Sequence, residues 1–199
     1  MKKILTLLIA TSLLSFGQDG QGLQEEKEKE WKVIAQPDHL SIGNGVRAFI
    51  DQATTAAQNG TEEKAILKSL KDLVAGKPAT INPKDLLKLK KVRSTQISQL
   101  GVFRYSYFNC RFKSTESGIF FEKTSGSQRK SGLVFENTED SLIFLGASTV
   151  NEETQRKYSG LTGSQNKEHD SIGVIIKRGK TYLMIIPGKK NSFEIYEFK

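Results

Sequence analysis

The sequence has few of the residues on which disulfide frameworks and metal sites depend. Its 199 residues include one cysteine and two histidines. A lone cysteine, Cys110, excludes an intrachain disulfide even in an oxidising compartment. Neither His39 nor His169 has a cysteine or carboxylate at the helical spacing of a metal-binding motif. We therefore predict no metal site and no cofactor.

Common catalytic motifs are missing as well. The sequence has no Gly-x-Ser-x-Gly elbow, and its acidic residues fall mostly in loops or beside lysines. Cys110 and Arg111 are adjacent, so their side chains should lie on opposite faces of a strand. Arg111 would then not activate the thiol, and a buried, inert cysteine is favoured. We predict no catalytic residues. A hydrolase that uses Tyr158, Lys157 or His169 with the Ser-rich loops stays as the alternative, because catalytic groups converge only in the fold.

A long apolar run occurs only at the N-terminus. Residues 1–17, "MKKILTLLIATSLLSFG", combine two lysines, an apolar stretch too short for a bilayer span, and small residues at Ser15 and Gly17. This order predicts a signal peptide, a mature chain that starts near Gln18, and a periplasmic or secreted location without a membrane span. The alternative is an uncleaved N-terminal anchor.

The charge is basic but dispersed. Loss of residues 1–17 removes Lys2 and Lys3 and lowers the net charge from +8 to +6. The remaining bases are spread along the chain, which favours solubility and weak attraction to anionic surfaces over a dedicated nucleic-acid site. We therefore expect no nucleic-acid partner.

The periodicity of the apolar residues changes once along the chain. Spacings of three and four predict a helix from Asp38, as its N-cap, towards Gly60, and a second from Thr61 to Gly76. Asn82 and Pro83 predict a further short helical turn. The predicted divisions are a signal peptide, a charged linker, a helical segment and an antiparallel β segment, at residues 1–17, 18–30, 31–88 and 89–199, with 31–199 forming one compact domain.

After about Leu89 the period becomes two, with turn residues every eight to twelve positions. The pattern predicts an α+β fold in which N-terminal helices pack on a seven- or eight-stranded antiparallel sheet, barrel-like or sandwich. Several strands, such as "TYLMIIP", are apolar on both sides and so require a helical cover on the second face. The candidate strands are "KLKKVRSTQI", "RYSYFNCRF", "GIFFEKT", "SGLVFE", "SLIFLGAS", "IGVIIKR", "TYLMIIP" and "SFEIYEF".

Alternation assigns the two faces of "RYSYFNCRF". Phe108, Cys110 and Phe112 should face the core. The opposite face carries a polar, aromatic stripe suited to stacking on a sugar or holding a peptide, formed by Tyr105, Tyr107, Asn109 and Arg111. Because packed helices would also explain such a stripe, we favour a helix-covered position for it.

The loop "KTSGSQRKSG", residues 123–132, concentrates hydroxyl, amide and cationic groups between two strands. It could bind a carboxylate, sulfate or phosphate through Ser125, Ser127, Gln128 and the cations Lys123, Arg129 and Lys130. A structural turn is the favoured interpretation. A related string starts at Thr162, which suggests a duplicated hairpin, although chance similarity explains so short a match equally well.

The chain resembles an exported bacterial family of uncharacterised proteins, domain of unknown function 4893. The resemblance rests on Trp31, "YFNCRF" at 107–112, "EKTSGSQRKSGLVFE" at 122–136, "FLG" at 144–146, Tyr158, "IGVIIKRG" at 172–179 and Pro187. It implies an extracytoplasmic α-plus-β domain and adds no catalytic residues.

These observations favour a non-enzymatic extracytoplasmic binding or inhibitor-like module, because small antiparallel barrels present loops at their mouths. The candidate partners are an anionic small molecule, a glycan or an envelope protein. A structural envelope protein is the third alternative. The candidate ligand-binding residues are Lys123, Ser125, Ser127, Gln128, Arg129, Tyr107, Arg111, Tyr158 and His169.

Overall fold

The computed structural model describes residues 30–58, 64–98, 100–160, 167–188 and 192–199. Four α-helices and one six-residue 3-10 helix precede the strands in this part of the chain. The helices are α1 (Glu30–Ile34), α2 (Pro37–Asn44), α3 (Val46–Gln58) and α4 (Lys64–Val74), followed by the 3-10 helix Pro83–Lys88. The predicted signal peptide, the charged linker before Glu30, and the Thr61 cap lie outside the described residues.

The helix predicted from Asp38 is divided into two. Gly45 ends α2 and separates it from α3, in line with the low helix propensity of glycine. The predicted N-cap is wrong by two residues, because Pro37 occupies the first turn and Gln36 is the cap. The turn predicted at Asn82 is confirmed, since its side chain accepts a hydrogen bond from the Lys84 amide at 3.0 Å.

Eight antiparallel strands close into a barrel in sequence order, and β1 pairs with β8. The barrel prediction is thereby confirmed, and the sandwich alternative has no support. The strands are β1 (Lys91–Ser98), β2 (Gly101–Thr115), β3 (Gly118–Lys123), β4 (Gln128–Thr138), β5 (Ser141–Val150), β6 (Asp170–Arg178), β7 (Thr181–Pro187) and β8 (Phe193–Phe198). A second short 3-10 turn, Lys167–His169, precedes β6.

One hydrophobic cluster fills the barrel interior. Its aromatic residues contact one another, with ring centroids of Phe112 and Phe121 4.9 Å apart and those of Phe121 and Phe198 5.5 Å apart. Leu86 of the 3-10 helix joins this cluster and is fully buried. The 3-10 helix therefore closes one end of the barrel, where Tyr182 donates a hydrogen bond to Asp85 at 3.2 Å.

A second cluster lies outside the barrel, between the helices and the outward side chains of β5 to β8, and it includes Ile97 of β1 and Val102 of β2. Trp31 of α1, Ile50 of α3 and Leu70 of α4 pack there against strand residues such as Ile143 and Ile185. The outward and inward residues of β5 and β7 alternate between the two clusters. This confirms the prediction that strands apolar on both sides are covered by the N-terminal helices.

The predicted cover of the β2 stripe is wrong. Tyr105, Asn109 and Arg111 are exposed, and Tyr107 is half-buried by neighbouring polar side chains. The prediction for the opposite face of the same strand is confirmed, because Cys110 and Phe112 belong to the interior cluster. The helices cover β5 to β8 and reach Ile97 of β1 and Val102 of β2, but Asn109 and Arg111 have no described helix above them. Alternation therefore gave the inward face of Cys110 and Phe112 but not the cover of the opposite face.

Candidate functional site

The turn between β3 and β4 was the first candidate site, and its shape depends on one glycine. Gly126 has a φ of +87°, a left-handed conformation that glycine adopts without strain. A Cβ at this position would lie 3.0 Å from the ring of Phe108 and 3.4 Å from Nζ of Lys123. The turn therefore packs down onto both side chains, and a structural role for Gly126 follows.

The side chain of Lys123, at one end of this turn, points into the barrel, and Gln128, at the other end, lies at the barrel mouth. Lys123 is 5% exposed, its Nζ donates a hydrogen bond to the Gln128 carbonyl at 2.6 Å, and it lies 4.4 Å from the Phe108 ring centroid. The Gln128 side chain accepts a hydrogen bond from the Gln96 amide of β1 at 3.0 Å. Burial lowers the pKa of Lys123, Glu194 opposes this shift and Lys130 reinforces it.

Lys130 and Glu194 extend this polar layer across the barrel. Their charged groups are 3.1 Å apart, and Lys130 also donates to the Ser148 hydroxyl at 3.0 Å. Ser94 donates to Glu194 at 2.7 Å. We call these four residues and Lys123 the lysine layer. It occupies the barrel end opposite the 3-10 helix, so the interior is apolar at one end and charged at the other.

The other residues of the predicted loop cradle face away from the layer. Arg129 lies outside, where it donates to the Glu153 carbonyl at 3.2 Å. The Ser125 hydroxyl accepts the Asn109 amide at 2.8 Å, and the Ser127 carbonyl accepts the Asn151 amide at 2.7 Å. The structure therefore divides the predicted site, because Lys123 reaches the interior and Gln128 lies exposed at the barrel mouth, whereas the two serines hold the turn.

Tyr107 and Arg111 belong to two separate polar networks on the outer surface. The Tyr107 hydroxyl donates to Glu197 at 2.5 Å, and Arg93 pairs with the same carboxylate at 2.7 Å. Burial, followed by this hydrogen bond, raises the pKa of Tyr107 to about 12. Arg111 pairs with Glu122. Both side chains are thus engaged within the barrel wall.

An apolar groove of about 550 Å³ crosses the outer surface where the helical cover ends. Phe120, Leu133 and Phe135 of β3 and β4 form its floor, and Val33 and Ile34 of α1 form one wall. The opposite wall is the segment from Arg156 to Gly160, which follows β5. Two exposed apolar side chains, Val33 at 58% and Ile34 at 39%, therefore border an apolar floor.

The polar lining of the groove consists of two cations, a tyrosine and three hydroxyl residues: Arg156, Lys157, Tyr158, Thr115, Ser117 and Ser159. Arg156 is held by the Ser148 carbonyl at 3.1 Å and by Glu153 at 3.0 Å, whereas Lys157 is exposed. The lining contains no aspartate or glutamate. The groove is therefore a concave apolar surface with positive charge along one wall.

Tyr158 is fixed by α2 at the end of this wall. Its hydroxyl accepts the Gln36 amide at 3.0 Å and shares a hydrogen bond of 2.7 Å with Nδ1 of His39. Burial raises the pKa of Tyr158 to about 12. Burial also lowers the pKa of His39, and the negative charge of Asp170 opposes that lowering. The network anchors the groove wall to the helices.

Asp170 completes the same anchor. Its carboxylate accepts the Ser159 amide at 3.0 Å, the Ser159 hydroxyl at 2.5 Å, and the side-chain amide of Gln36. His169, the neighbouring residue, lies elsewhere, with Nε2 3.6 Å from Glu168. The structure thus joins Tyr158 to His39, and it separates the two predicted site residues Tyr158 and His169 into different contacts.

Comparison with known proteins places the chain in one family. The family described as Domain of unknown function (DUF4893) matches residues 31–198, which is most of the chain. The chain belongs to the DUF4893 family. No curated protein and no solved structure shows significant similarity to it. The resemblance inferred from the sequence is confirmed.

The DUF4893 chain has two features that sequence patterns did not reveal. The groove forms because α1 lies beside β3 and β4, and the lysine layer forms because β4 lies opposite β8. In the described residues, no cluster of three or more metal-binding side chains occurs. None of the described helices has the length and apolar character needed to cross a bilayer. The second Gly-Ser-Gln string, from Thr162, lies outside the described residues apart from its final lysine, Lys167.

Proposed function

We propose that this DUF4893 chain is an exported, non-enzymatic binding protein whose groove holds an apolar, acidic segment of another extracytoplasmic protein. The observation that carries the proposal is the groove lining, which combines an apolar floor with two cations and no carboxylate. Its volume, about 550 Å³, falls within the range of roughly 300 to 1,000 Å³ typical of ligand sites.

A polypeptide fits the groove better than an enclosed small molecule does. The site is open along its length, and its Val33 and Ile34 wall leaves large apolar surfaces in water. Contiguous exposed apolar surface of this kind is typical of interaction sites. Because the barrel has no free strand edge, the partner would bind through side chains placed in the groove and not by adding a strand to the sheet.

The charge of the groove favours an acidic partner. Lys157 is exposed on the wall, and Arg156 is already oriented by the Ser148 carbonyl. A carboxylate placed beside these cations would gain a favourable interaction, and the basic chain as a whole would speed its approach. An apolar segment without acidic residues would lack both contributions.

The site chemistry supports binding over hydrolysis. The Tyr158 hydroxyl is engaged with both the Gln36 amide and His39, and the Ser159 hydroxyl donates to Asp170. These groups hold the groove wall to α2 and β6 instead of projecting an unpaired nucleophile over the floor. The predicted export supplies the compartment, and residues 1–17 are the basis for it.

Selection of peptides on the purified protein tests this function. A random 12-residue display library panned on the folded chain should enrich peptides that carry two or three large apolar residues together with aspartate or glutamate. Enriched peptides are then made without the phage and titrated by fluorescence anisotropy. We expect one binding site per chain.

Variants of the groove locate that site. Leu133→Gln keeps the size of the side chain but makes the floor polar, and it should weaken binding by about tenfold. Lys157→Glu should weaken it by about fivefold, as expected for one exposed charge contact. Lys84→Glu, on the 3-10 helix outside the groove, makes the same charge change and should have no effect. Enriched peptides that bind Leu133→Gln as tightly as the parent would overturn the proposed function.

A further inference from the structure

The barrel interior contains a second charged region whose charges do not balance. Lys123 and Lys130 flank the last backbone pair of β3 and β4, Glu122 with Ser131, and they lie close enough for the charge of Lys130 to lower the pKa of Lys123. Both side chains point inward, as do Phe121 and Val134 two or four residues away. Glu194 of β8 is the only carboxylate that contacts this layer among the described residues, at 3.1 Å from Lys130.

The hydrogen bonds of the layer show which cation lacks a counter-ion. Glu194 is satisfied by Lys130 on one oxygen and by Ser94 on the other. Lys123 donates to a neutral carbonyl and lies over a neutral ring. In the described part of the chain no carboxylate lies within ion-pair distance of Lys123. The layer therefore carries one surplus positive charge at a side chain that is 5% exposed.

A buried ammonium without a counter-ion is costly, because burial removes its hydration without supplying an opposite charge. An anion that enters the layer would offset that cost. One surplus charge matches a singly charged carboxylate better than a doubly charged phosphate, which would leave the layer negative. The hydroxyls of Ser94 and Ser148 stand beside the lysines and add polar partners.

The mouth of the barrel sets the size and polarity of the ligand. The Gln96–Gln128 hydrogen bond spans it, so only a small group can pass when these two side chains rotate. Four exposed apolar or aromatic residues lie on strands or turns at this same end: Leu100, Phe103, Tyr105 and Val150. They would contact an apolar body whose acid group lies deeper.

We infer that the lysine layer binds a small monocarboxylate with an apolar body, with Lys123 as its counter-ion. This site is inside the barrel, separate from the groove, and stands whether or not the groove binds a polypeptide. The glutamine pair covers the entrance, and the exposed side chains around it contact the apolar part of the acid.

Calorimetric titration of the purified protein with benzoate tests the inference. Benzamide has the same ring and similar shape without the charge. We expect benzoate to bind at one site per chain and benzamide to bind at least about tenfold more weakly. Acetate, which lacks the ring, should also bind more weakly than benzoate. Equal binding of benzoate and benzamide would overturn the inference, as would no measurable binding of benzoate.

Two substitutions should change the affinity in opposite directions. Lys123→Met removes the surplus charge and should weaken benzoate binding at least about tenfold, whereas Glu194→Gln raises the surplus and should strengthen it several-fold. Lys84→Met is the matched control on the exposed surface and should leave the affinity unchanged. If Lys123→Met does not fold, Glu194→Gln decides alone, since weaker or unchanged binding by that variant contradicts a charge-matched site.

The groove variant Lys157→Glu separates this result from the proposed function. It should leave benzoate affinity unchanged while it weakens the selected peptides. Loss of benzoate binding in Lys157→Glu, with Lys123→Met unaffected, would place the acid in the groove and overturn the assignment to the barrel interior.

Discussion

The outer surface of this barrel has two sides that differ in what covers them. Outward residues of β5 to β8 are mostly apolar and lie under α1 to α4, together with Ile97 of β1 and Val102 of β2, whereas the other outward residues of β1 to β3 are mostly charged or hydroxylated and lie outside this cluster. The groove runs along the border, where Phe120 and Leu133 continue the apolar surface beyond the cover. The difference indicates that the covered side stabilises the fold, and the border is where we propose that a partner binds.

Trp31 should give the largest effect, because it ties α1 to the covered side and is fully buried. Trp31→Ala removes the largest buried side chain there, and we expect a loss of about 3 to 5 kcal/mol in the free energy of unfolding. Chemical denaturation measures it. Trp31→Phe is the matched control and should cost much less, since the indole Nε1 it removes has no hydrogen-bond partner. Similar losses for both variants would contradict the packing role.

Gly126 tests whether the uncovered side has its own structural constraint. Gly126→Val places a β-branched residue at a φ of +87° and a Cβ 3.0 Å from Phe108. We expect a loss of about 3 kcal/mol, measured by denaturation. Gly179→Val, at the turn between β6 and β7, also has positive φ but meets no atom within 4 Å, so it should cost less. Equal losses of stability in the two variants would mean that backbone strain alone, without the contact to Phe108, explains the loss at Gly126.

Substitutions at Cys110 and Asn109 compare the inward and outward faces of β2, a strand on the uncovered side. Cys110→Ser places a hydroxyl in the apolar interior and should cost about 1 to 3 kcal/mol, while Asn109→Ser on the exposed face should stay within about 0.5 kcal/mol. Burial raises the pKa of the Cys110 thiol to about 12. Its labelling by a thiol reagent should therefore remain slow up to pH 10, and fast labelling of folded protein would disprove the face assignment.

The same pKa gives the thiol a pH-dependent contribution to stability. The unfolded thiol ionises near its ordinary pKa of 9.0 and the folded one at about 12. The unfolded chain releases the proton first, so the contribution of Cys110 is fully present below pH 9 and is lost as the pH rises towards 12. Cys110→Ala should flatten this part of the stability profile.

Arg129 should give the smallest effect. It lies outside the barrel and donates one hydrogen bond to the Glu153 carbonyl at 3.2 Å. Arg129→Ala should change the free energy of unfolding by no more than about 0.5 kcal/mol. A large loss would show that the turn between β3 and β4 depends on its cation, contrary to the role of Gly126.

The parts of the fold that depend on local sequence patterns can be predicted from the sequence. Alternation placed eight strands within a few residues of their bounds, and "TYLMIIP" predicted a cover because both of its faces are apolar. The cover of the β2 stripe was not accessible, since Tyr107 and Arg111 have the same pattern whether a helix or water lies above them. Only the docking of distant segments distinguishes these cases.

The candidate site was accessible only in part, for the same reason. The composition of the loop indicates Lys123 and Gln128 as ligand-binding candidates, but the inward direction of Lys123 depends on the strand register, and Gln128 is exposed. The partner of Tyr158 is His39, 119 residues away, a pair that the sequence analysis does not propose. Groups that meet across such separations leave no local pattern.

Methyl NMR with a selected peptide tests the central claim, that the border groove binds a partner, most directly. The account predicts that the methyl signals of Val33, Ile34 and Leu133 shift as the peptide is added. Those of Leu142 and Ile175, which lie inside the barrel, should stay unchanged. Shifts confined to interior methyls, or spread evenly over the covered side without Leu133, would contradict it.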